Sequence, residues 1–198
     1  MGRFFDRIQH MVITWHGEGC FKCQSGEISI LSDPSTLRFK PNIVLRTLVK
    51  VPPEEEGGEI LVVNTPGEYD AFGVNIKGFQ LKKESTESFI KTIYLVDFEG
   101  VRFCFLGHIS EMLEATEMEG LEAIDVLFVP GGGKPFVSQG EAVKLINQLA
   151  PKIVIPSFFK DTREFMKEFG KQAEPLDKFT FKKKDLSEKG TELVILKI

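Results

Sequence analysis

The sequence predicts an α/β fold, a four-layer αββα sandwich in which two mixed β-sheets carry helices on the outside. The first half of the chain consists mostly of short apolar segments separated by turn residues, which is typical of β-hairpins. The second half alternates strand-like with helix-like segments, which is typical of layered α/β structure. No linker rich in Pro, Gly or Ser interrupts the 198 residues, so residues 1–198 are expected to form one domain.

Apolar runs bounded by Gly, Pro or Asp predict the strands of the first half. The predicted strands are Met11 to Trp15, Cys20 to Gln24, Glu27 to Leu31, Ile43 to Leu48, Ile60 to Asn64 and Val74 to Leu81. Ile90 to Phe98 and Val101 to Leu106 follow, and Glu99-Gly100 between them predicts a tight hairpin.

Three helices are predicted in the second half. Ser110 is the expected N-cap of the first, which runs to Gly120. The second runs from Ser138 to Leu149, and Ser138 precedes Glu141 by the three positions of a capping box. The third covers Asp161 to Gly170 and places Phe165, Met166 and Phe169 on one face. The strands predicted here are Val126 to Val129, Lys152 to Ile155 and Thr191 to Ile198.

Charge and composition narrow the classes of function. The formal net charge is −4 and no basic stripe dominates, so we expect no nucleic-acid partner. No apolar run is long enough to cross a bilayer, and Met1 to His10 lacks the apolar centre of a secretory signal. Three cysteines without a disulfide-scaffold spacing favour a reducing compartment. A soluble cytoplasmic protein with no membrane partner is therefore predicted.

Six segments in order along almost the whole chain resemble the metallo-β-lactamase superfamily. They are most similar to its small branch of Zn-dependent hydrolases of the β-lactamase fold, which includes ascorbate-phosphate lactonases. Ile13 to Phe21 reads I-T-W-H-G-E-G-C-F, against I-T-W-Y-G-H-S-C-F in the family. The others are I-L-S-D-P from Ile30, P-N-I-V-L from Pro41, P-G-E-Y from Pro66 with Gly73-Val74, D-V-L-F-V-P-G-G-G from Asp125 and P-K-I-V-I-P from Pro151. The resemblance implies the αββα fold and an ancestral hydrolase.

The resemblance also shows which positions should carry metal ligands, and this chain has replaced them. The family's H-x-H-x-D-H motif follows P-D-I-V-L, where this chain has residues 47–50, Thr-Leu-Val-Lys. A further family His should fall near Lys82 and Lys83, the bridging Asp corresponds to His108, and the last His corresponds to Phe158. Leu, Val and Phe offer a metal no lone pair. The ancestral zinc or manganese site is predicted to be lost, leaving no cofactor and no metal-bound hydroxide.

Other reactive residues suggest alternatives. Cys20 and Cys23 form a CxxC pair that could be half a zinc site or a redox pair, and His16 could join them in an improvised metal site. The structural interpretation is favoured for both, because a zinc ribbon needs a second pair and Cys104 is single. The turn from Gly131 to Lys134 lacks the spacing of a P-loop. A basic cleft could bind an anionic ligand, and the lysines concerned are Lys50, Lys82, Lys83 and Lys134.

Glu18 and His108 are the candidate catalytic residues. Glu18 replaces the His of the family's G-H-S and His108 replaces the bridging Asp, so both lie at the rim of the former site. This exchange of acid and base predicts a hydrogen-bonded ion pair that raises the His pKa. The pair could act as a metal-free acid and base, or it could only fill the vacated pocket. The vestigial cleft is predicted to contain His16, Glu18, Asp33, Thr47, Lys50, His108, Gly132 and Phe158.

We therefore predict a non-catalytic protein that keeps the fold without the metal site and binds a small ligand or a protein partner. A homo-oligomer could form through sheet edges or through an exposed Phe-rich helix around Phe165 and Phe169. The alternative is a hydrolase that uses the Glu18–His108 pair or a relocated metal. An open polar cleft would favour the enzyme, and a cleft packed by Phe158 would favour an interaction protein.

Overall fold

The computed structural model describes residues 10–53, 59–186 and 190–198. The prediction that Met1 to His10 is not a secretory signal therefore concerns residues that lie mostly outside these ranges. The strands in chain order are β1 (Met11–Trp15), β2 (Phe21–Ser25), β3 (Ile28–Ser32), β4 (Ile43–Leu45), β5 (Leu48–Lys50), β6 (Leu61–Val63), β7 (Gly67–Ala71), β8 (Val74–Gln80), β9 (Phe89–Phe98), β10 (Val101–Phe105), β11 (Val126–Pro130), β12 (Ile153–Ser157), β13 (Phe179–Phe181) and β14 (Glu192–Leu193). The α-helices are α1 (Ala115–Met118), α2 (Gln139–Leu149) and α3 (Arg163–Phe169), and Lys183–Asp185 form a short 3-10 helix.

Two mixed β-sheets pack face to face, as predicted. The first has six strands in the order β13-β1-β2-β3-β4-β6, and the second has eight, in the order β14-β12-β11-β10-β9-β8-β7 with β5 paired to β9. The alternation along β1 buries Met11, Ile13 and Trp15 in the core between the sheets. The hairpin of β9 and β10 forms at Glu99-Gly100, with Val101 paired to Phe98.

A second apolar layer lies between the eight-stranded sheet and the helices. Leu145 and Ile146 of α2 and Phe165 of α3 are buried there against Leu127 and Val154 of the sheet. In residues 10–53, 59–186 and 190–198, α1, α2 and α3 each place side chains in or against this layer. No helix in those ranges is long and apolar enough to cross a membrane.

Local capping signals explain where the helices begin. The predicted capping box of α2 is confirmed, because the Ser138 N–H donates to Glu141 Oε2 at 2.8 Å and the Glu141 N–H donates to Ser138 Oγ at 3.3 Å. The predicted start of α1 at Ser110 is wrong, and the N-cap is Glu114. The Ser110 N–H instead donates to Glu84 Oε2 at 2.8 Å, which ties this residue to another loop.

Two further predictions need correction. Phe165 is fully buried beneath α3, so this helix does not offer the exposed phenylalanine face that was considered for self-association. The continuous strand predicted from Ile43 to Leu48 is divided between the two sheets. Its first part is β4, and after Arg46 and Thr47 the chain crosses over and continues as β5 beside β9.

Candidate functional site

The candidate site lies where loops from both sheets meet at the carboxyl ends of parallel strands. β3 runs parallel to β4 in the first sheet, and β10, β11 and β12 run parallel in the second. In open α/β sheets ligands bind outside this end of the strands. The loops that follow these five strands supply, in turn, Asp33, Thr47, His108, Gly132 and Phe158.

Asp33, Thr47 and His108 form a chain of short hydrogen bonds that joins the two sheets. Thr47 Oγ1 donates to Asp33 Oδ2 at 2.6 Å and lies 2.7 Å from His108 Nδ1. The Thr47 N–H donates to Asp33 Oδ1 at 2.7 Å. A hydroxyl has one hydrogen to donate, so Thr47 Oγ1 must accept its second bond from His108. This assigns the proton of the neutral imidazole to Nδ1 and leaves a lone pair on Nε2.

Burial dominates the electrostatics of this chain. It raises the pKa of Asp33, although His108, the hydrogen bonds from Thr47 and the charge of Arg46 oppose the rise. Burial also lowers the pKa of His108, and the attraction of Asp33 does not overcome it. The predicted rise of the His108 pKa is therefore wrong, because the cost of burying an imidazolium outweighs the nearby carboxylates.

Phe158, which the resemblance aligns with the family's last metal ligand, packs among other aromatic rings. It lies 4.8 Å from the ring of His108 and 4.3 Å from that of Phe136, centroid to centroid. The Phe158 backbone has φ of +52°, a conformation that bulky residues rarely adopt. Its N–H donates to the Glu18 carbonyl at 3.2 Å, which holds the backbone in place. Aromatic side chains thus line this part of the cleft, and Phe136 and Phe158 both stay partly exposed.

Three glycines allow this close packing. A Cβ at Gly132 would lie 1.9 Å from the Phe158 carbonyl oxygen, and a Cβ at Gly19 would lie 2.5 Å from Phe158 Cζ. A Cβ at Gly107 would lie 2.3 Å from Thr47 Oγ1, and Gly107 also has φ of +58°. Glycine at each position lets a neighbouring loop approach.

Glu18 does not form the predicted pair with His108. Its carboxylate is exposed and makes no hydrogen bond or ion pair within the ranges that the structure covers. Its carbonyl accepts bonds from Trp15 Nε1, at 2.9 Å, and from the Phe158 N–H. The prediction is wrong because His108 Nδ1 is hydrogen-bonded to the Thr47 hydroxyl. That hydroxyl in turn donates to the carboxylate of Asp33, not of Glu18.

His16 and Lys50 also lie apart from the hydrogen-bond chain. His16 Nε2 is 3.0 Å from Thr14 Oγ1, and the imidazole packs on Phe39 with ring centroids 4.1 Å apart. Burial, aided by Arg38 and Lys22, lowers the His16 pKa. Lys50 is exposed on β5 opposite Phe89. Among the described residues, neither side chain forms a hydrogen bond or ion pair with Asp33, Thr47 or His108.

The residues do not fit the zinc centre that the fold implies. Across the described ranges no three His, Cys, Asp or Glu side chains come together in a way that could hold a metal ion. Thr47 offers a neutral hydroxyl that already makes two hydrogen bonds, and Phe158 offers no lone pair. Cys20 and Cys23 are free and buried, and burial, followed by the charge of Asp33, raises the pKa of Cys20 to about 11. Such a thiol stays protonated at neutral pH.

Sequence reasoning missed Phe136, Gly19 and Gly107. Phe136 follows the glycine turn after β11 and packs on both Phe158 and His108. Gly107 precedes His108, which is aligned with the family's bridging Asp, and Gly19 follows Glu18 at the rim of the aligned site, so small residues beside those positions were an available signal.

The chain belongs to the β-lactamase superfamily. A family profile described as "Beta-lactamase superfamily domain" matches residues 12–157. No curated protein matches the chain significantly. The profile match confirms the resemblance that the sequence motifs indicated.

Solved structures support the same assignment. A protein from Thermotoga maritima, classed with the Zn-dependent hydrolases of the metallo-beta-lactamase superfamily, is 25% identical, with a TM-score of 0.78 over 94% of this chain and 98% of its own. A metal-dependent hydrolase from Parabacteroides distasonis is 16% identical, with a TM-score of 0.63 over 94% of this chain and 93% of its own. Igni18, a metallo hydrolase from Ignicoccus hospitalis, is 16% identical, with a TM-score of 0.64 over 87% of this chain and 99% of its own. The last two show the shared fold alone.

Proposed function

We propose that this chain is a non-catalytic member of the superfamily that binds a small ligand or a protein partner without a metal. The observation that carries the proposal is the replacement of three ligand positions by one packed unit. Thr47 and His108 bond to each other, and Phe158 packs on His108. A hydrolytic metal centre needs several deprotonated ligands and an open coordination position. The packed unit offers neither.

Purified protein is expected to retain far less than one metal ion per chain after incubation with zinc or manganese and removal of the excess. The reason is that Thr47 and Phe158 cannot replace two imidazoles. Mass spectrometry of the elements after desalting measures the ratio. The Thermotoga maritima relative, treated in parallel, controls for loss during desalting. One tightly held ion per chain would contradict the proposal.

A second candidate is metal-free acid–base catalysis, which the hydrogen bond between Thr47 and His108 favours. In this candidate His108 Nε2 is the base, and Thr47 and Asp33 position the ring in place of the Glu18 pairing. If the protein hydrolyses any ester, lactone or phosphoester of a test panel, His108→Ala should lower the rate roughly 100-fold. His16→Ala is the matched control. An unchanged rate in His108→Ala would exclude this candidate.

A further inference from the structure

We propose that the ligand of this site is a protonated amine, bound between the exposed edge of His108, the carboxylate of Glu18 and the rings of Phe136 and Phe158. This inference rests on the proposed function, because it treats the site as a binding site without a metal. It names the chemical class of the ligand. Three properties of the site support it: the proton arrangement on His108, the flanking aromatic rings and the local balance of charge.

The first property is a hydrogen-bond acceptor. The donor pattern at Thr47 places the His108 proton on Nδ1, so Nε2 carries a lone pair. Solvent reaches 22% of the His108 side chain, so the ring is not sealed from a ligand. A lone pair accepts a hydrogen bond from an N–H group and repels a carboxylate or phosphate oxygen. An ammonium group is the donor that gains most, since hydrogen bonds with a charged partner are the stronger ones.

The second property is the aromatic surroundings of that acceptor. Phe136 and Phe158 pack on each other, and their centroids lie 6.0 and 4.8 Å from that of the His108 ring. Both phenylalanines are partly exposed. The face of a phenyl ring is electron-rich and attracts a cation within about 6 Å of its centroid. The rings therefore favour an ammonium group with an apolar substituent over a hydrated anion.

The third property is the charge near His108. The Lys91 ammonium is paired with Glu84 at 2.6 Å, and Asp33 is partly balanced by Arg46. The Glu18 carbonyl accepts from the Phe158 N–H at 3.2 Å, which places Glu18 beside the aromatic rings, and its exposed carboxylate has no ion pair with any residue that the structure describes. This leaves a carboxylate at the rim that a cationic ligand can neutralise.

The lysines do not provide a competing anion site. Lys83 is paired with Glu114, and Lys50 lies exposed on β5. Lys82 and Lys134 are exposed, and in the described part of the chain neither forms a hydrogen bond or ion pair with His108. The sequence-based idea of a basic cleft for an anionic ligand is therefore weaker than the amine.

The test is a titration of protein labelled with ¹⁵N-histidine, followed by NMR of the imidazole nitrogens. The probes are benzylammonium, tetramethylammonium and inorganic phosphate at constant ionic strength and pH. We expect His108 Nε2 to be unprotonated before addition and to shift saturably with benzylammonium. Tetramethylammonium, which has no N–H, should bind more weakly, and phosphate should not bind.

Two substitutions show whether benzylammonium binds beside Glu18. Glu18→Gln should weaken benzylammonium binding roughly three- to fivefold, as expected for one exposed ion pair. Glu174→Gln removes an exposed carboxylate elsewhere and should leave the affinity unchanged. Saturable phosphate binding, the absence of benzylammonium binding, or a proton found on Nε2 would each overturn the inference. Metal retention would overturn the proposed function instead, so the two can fail separately.

Discussion

Gly107→Ala is expected to lower the free energy of unfolding by about 3 kcal/mol or more. The new methyl group would lie 2.3 Å from the Cβ and Oγ1 atoms of Thr47, which is too close for any real contact. Thr47 is only 1% exposed and is held by Asp33 and His108, so it cannot move aside cheaply. Urea denaturation of both proteins measures the difference.

Gly73→Ala is the matched control for this substitution. Gly73 also has a positive φ, +74°, but no atom lies within 4 Å of the added methyl group. Its cost should be only the backbone strain, about 1 kcal/mol. Equal losses of unfolding free energy in the two variants would contradict this prediction. They would show that glycine is needed at position 107 only for its positive φ and not for the close approach of Thr47.

Thr47→Val is expected to cost about 2–3 kcal/mol of unfolding free energy. Valine keeps the shape of threonine but removes the hydroxyl that donates to Asp33 and accepts from His108. The Asp33 carboxylate then stays buried with fewer donors, and a buried acceptor that loses its partner carries a full desolvation penalty. Chemical denaturation measures the loss.

Two further variants show whether that loss belongs to the hydrogen-bond chain. Thr180→Val makes the same change at an exposed position of β13 and should stay within about 0.5 kcal/mol of the parent protein. A double-mutant cycle combines Thr47→Val with Asp33→Asn. The sum of the losses of unfolding free energy in the two single variants should exceed the loss in the double variant, because both substitutions disrupt the same hydrogen bond. Strict additivity would mean that Thr47 and Asp33 act independently.

The regular parts of the fold followed from short-range signals. The turn at Glu99-Gly100 and the capping box at Ser138 are decided by residues within a few positions of each other, and both are present. The division of Ile43 to Leu48 was not predictable in this way. A continuous apolar run reads the same whether it remains in one sheet or crosses to another, since both environments are buried.

The site was predictable as a location but not as an arrangement. Matching family motifs placed Thr47, His108 and Phe158 at former ligand positions. The bonds among them depend on tertiary structure, because Thr47 is 14 positions from Asp33 and 61 from His108. Glu18 seemed the natural acid because charge exchange was visible in the sequence, whereas the burial that decides the His108 pKa was not.

The strand β5 forms part of the segment that the resemblance aligns with the family's metal-binding loop. The Thr47 carbonyl accepts from the Thr92 N–H and the Val51 N–H donates to the Ser88 carbonyl, so both ends of this segment are fastened to β9. Successive side chains of a strand point to opposite faces, and Leu48 and Lys50 are exposed while Val49 is buried. Histidines introduced at adjacent positions of β5 by point mutation would point to opposite faces rather than converge on one ion. A metal-binding loop in this segment would therefore need an insertion that frees the backbone, which single substitutions do not provide.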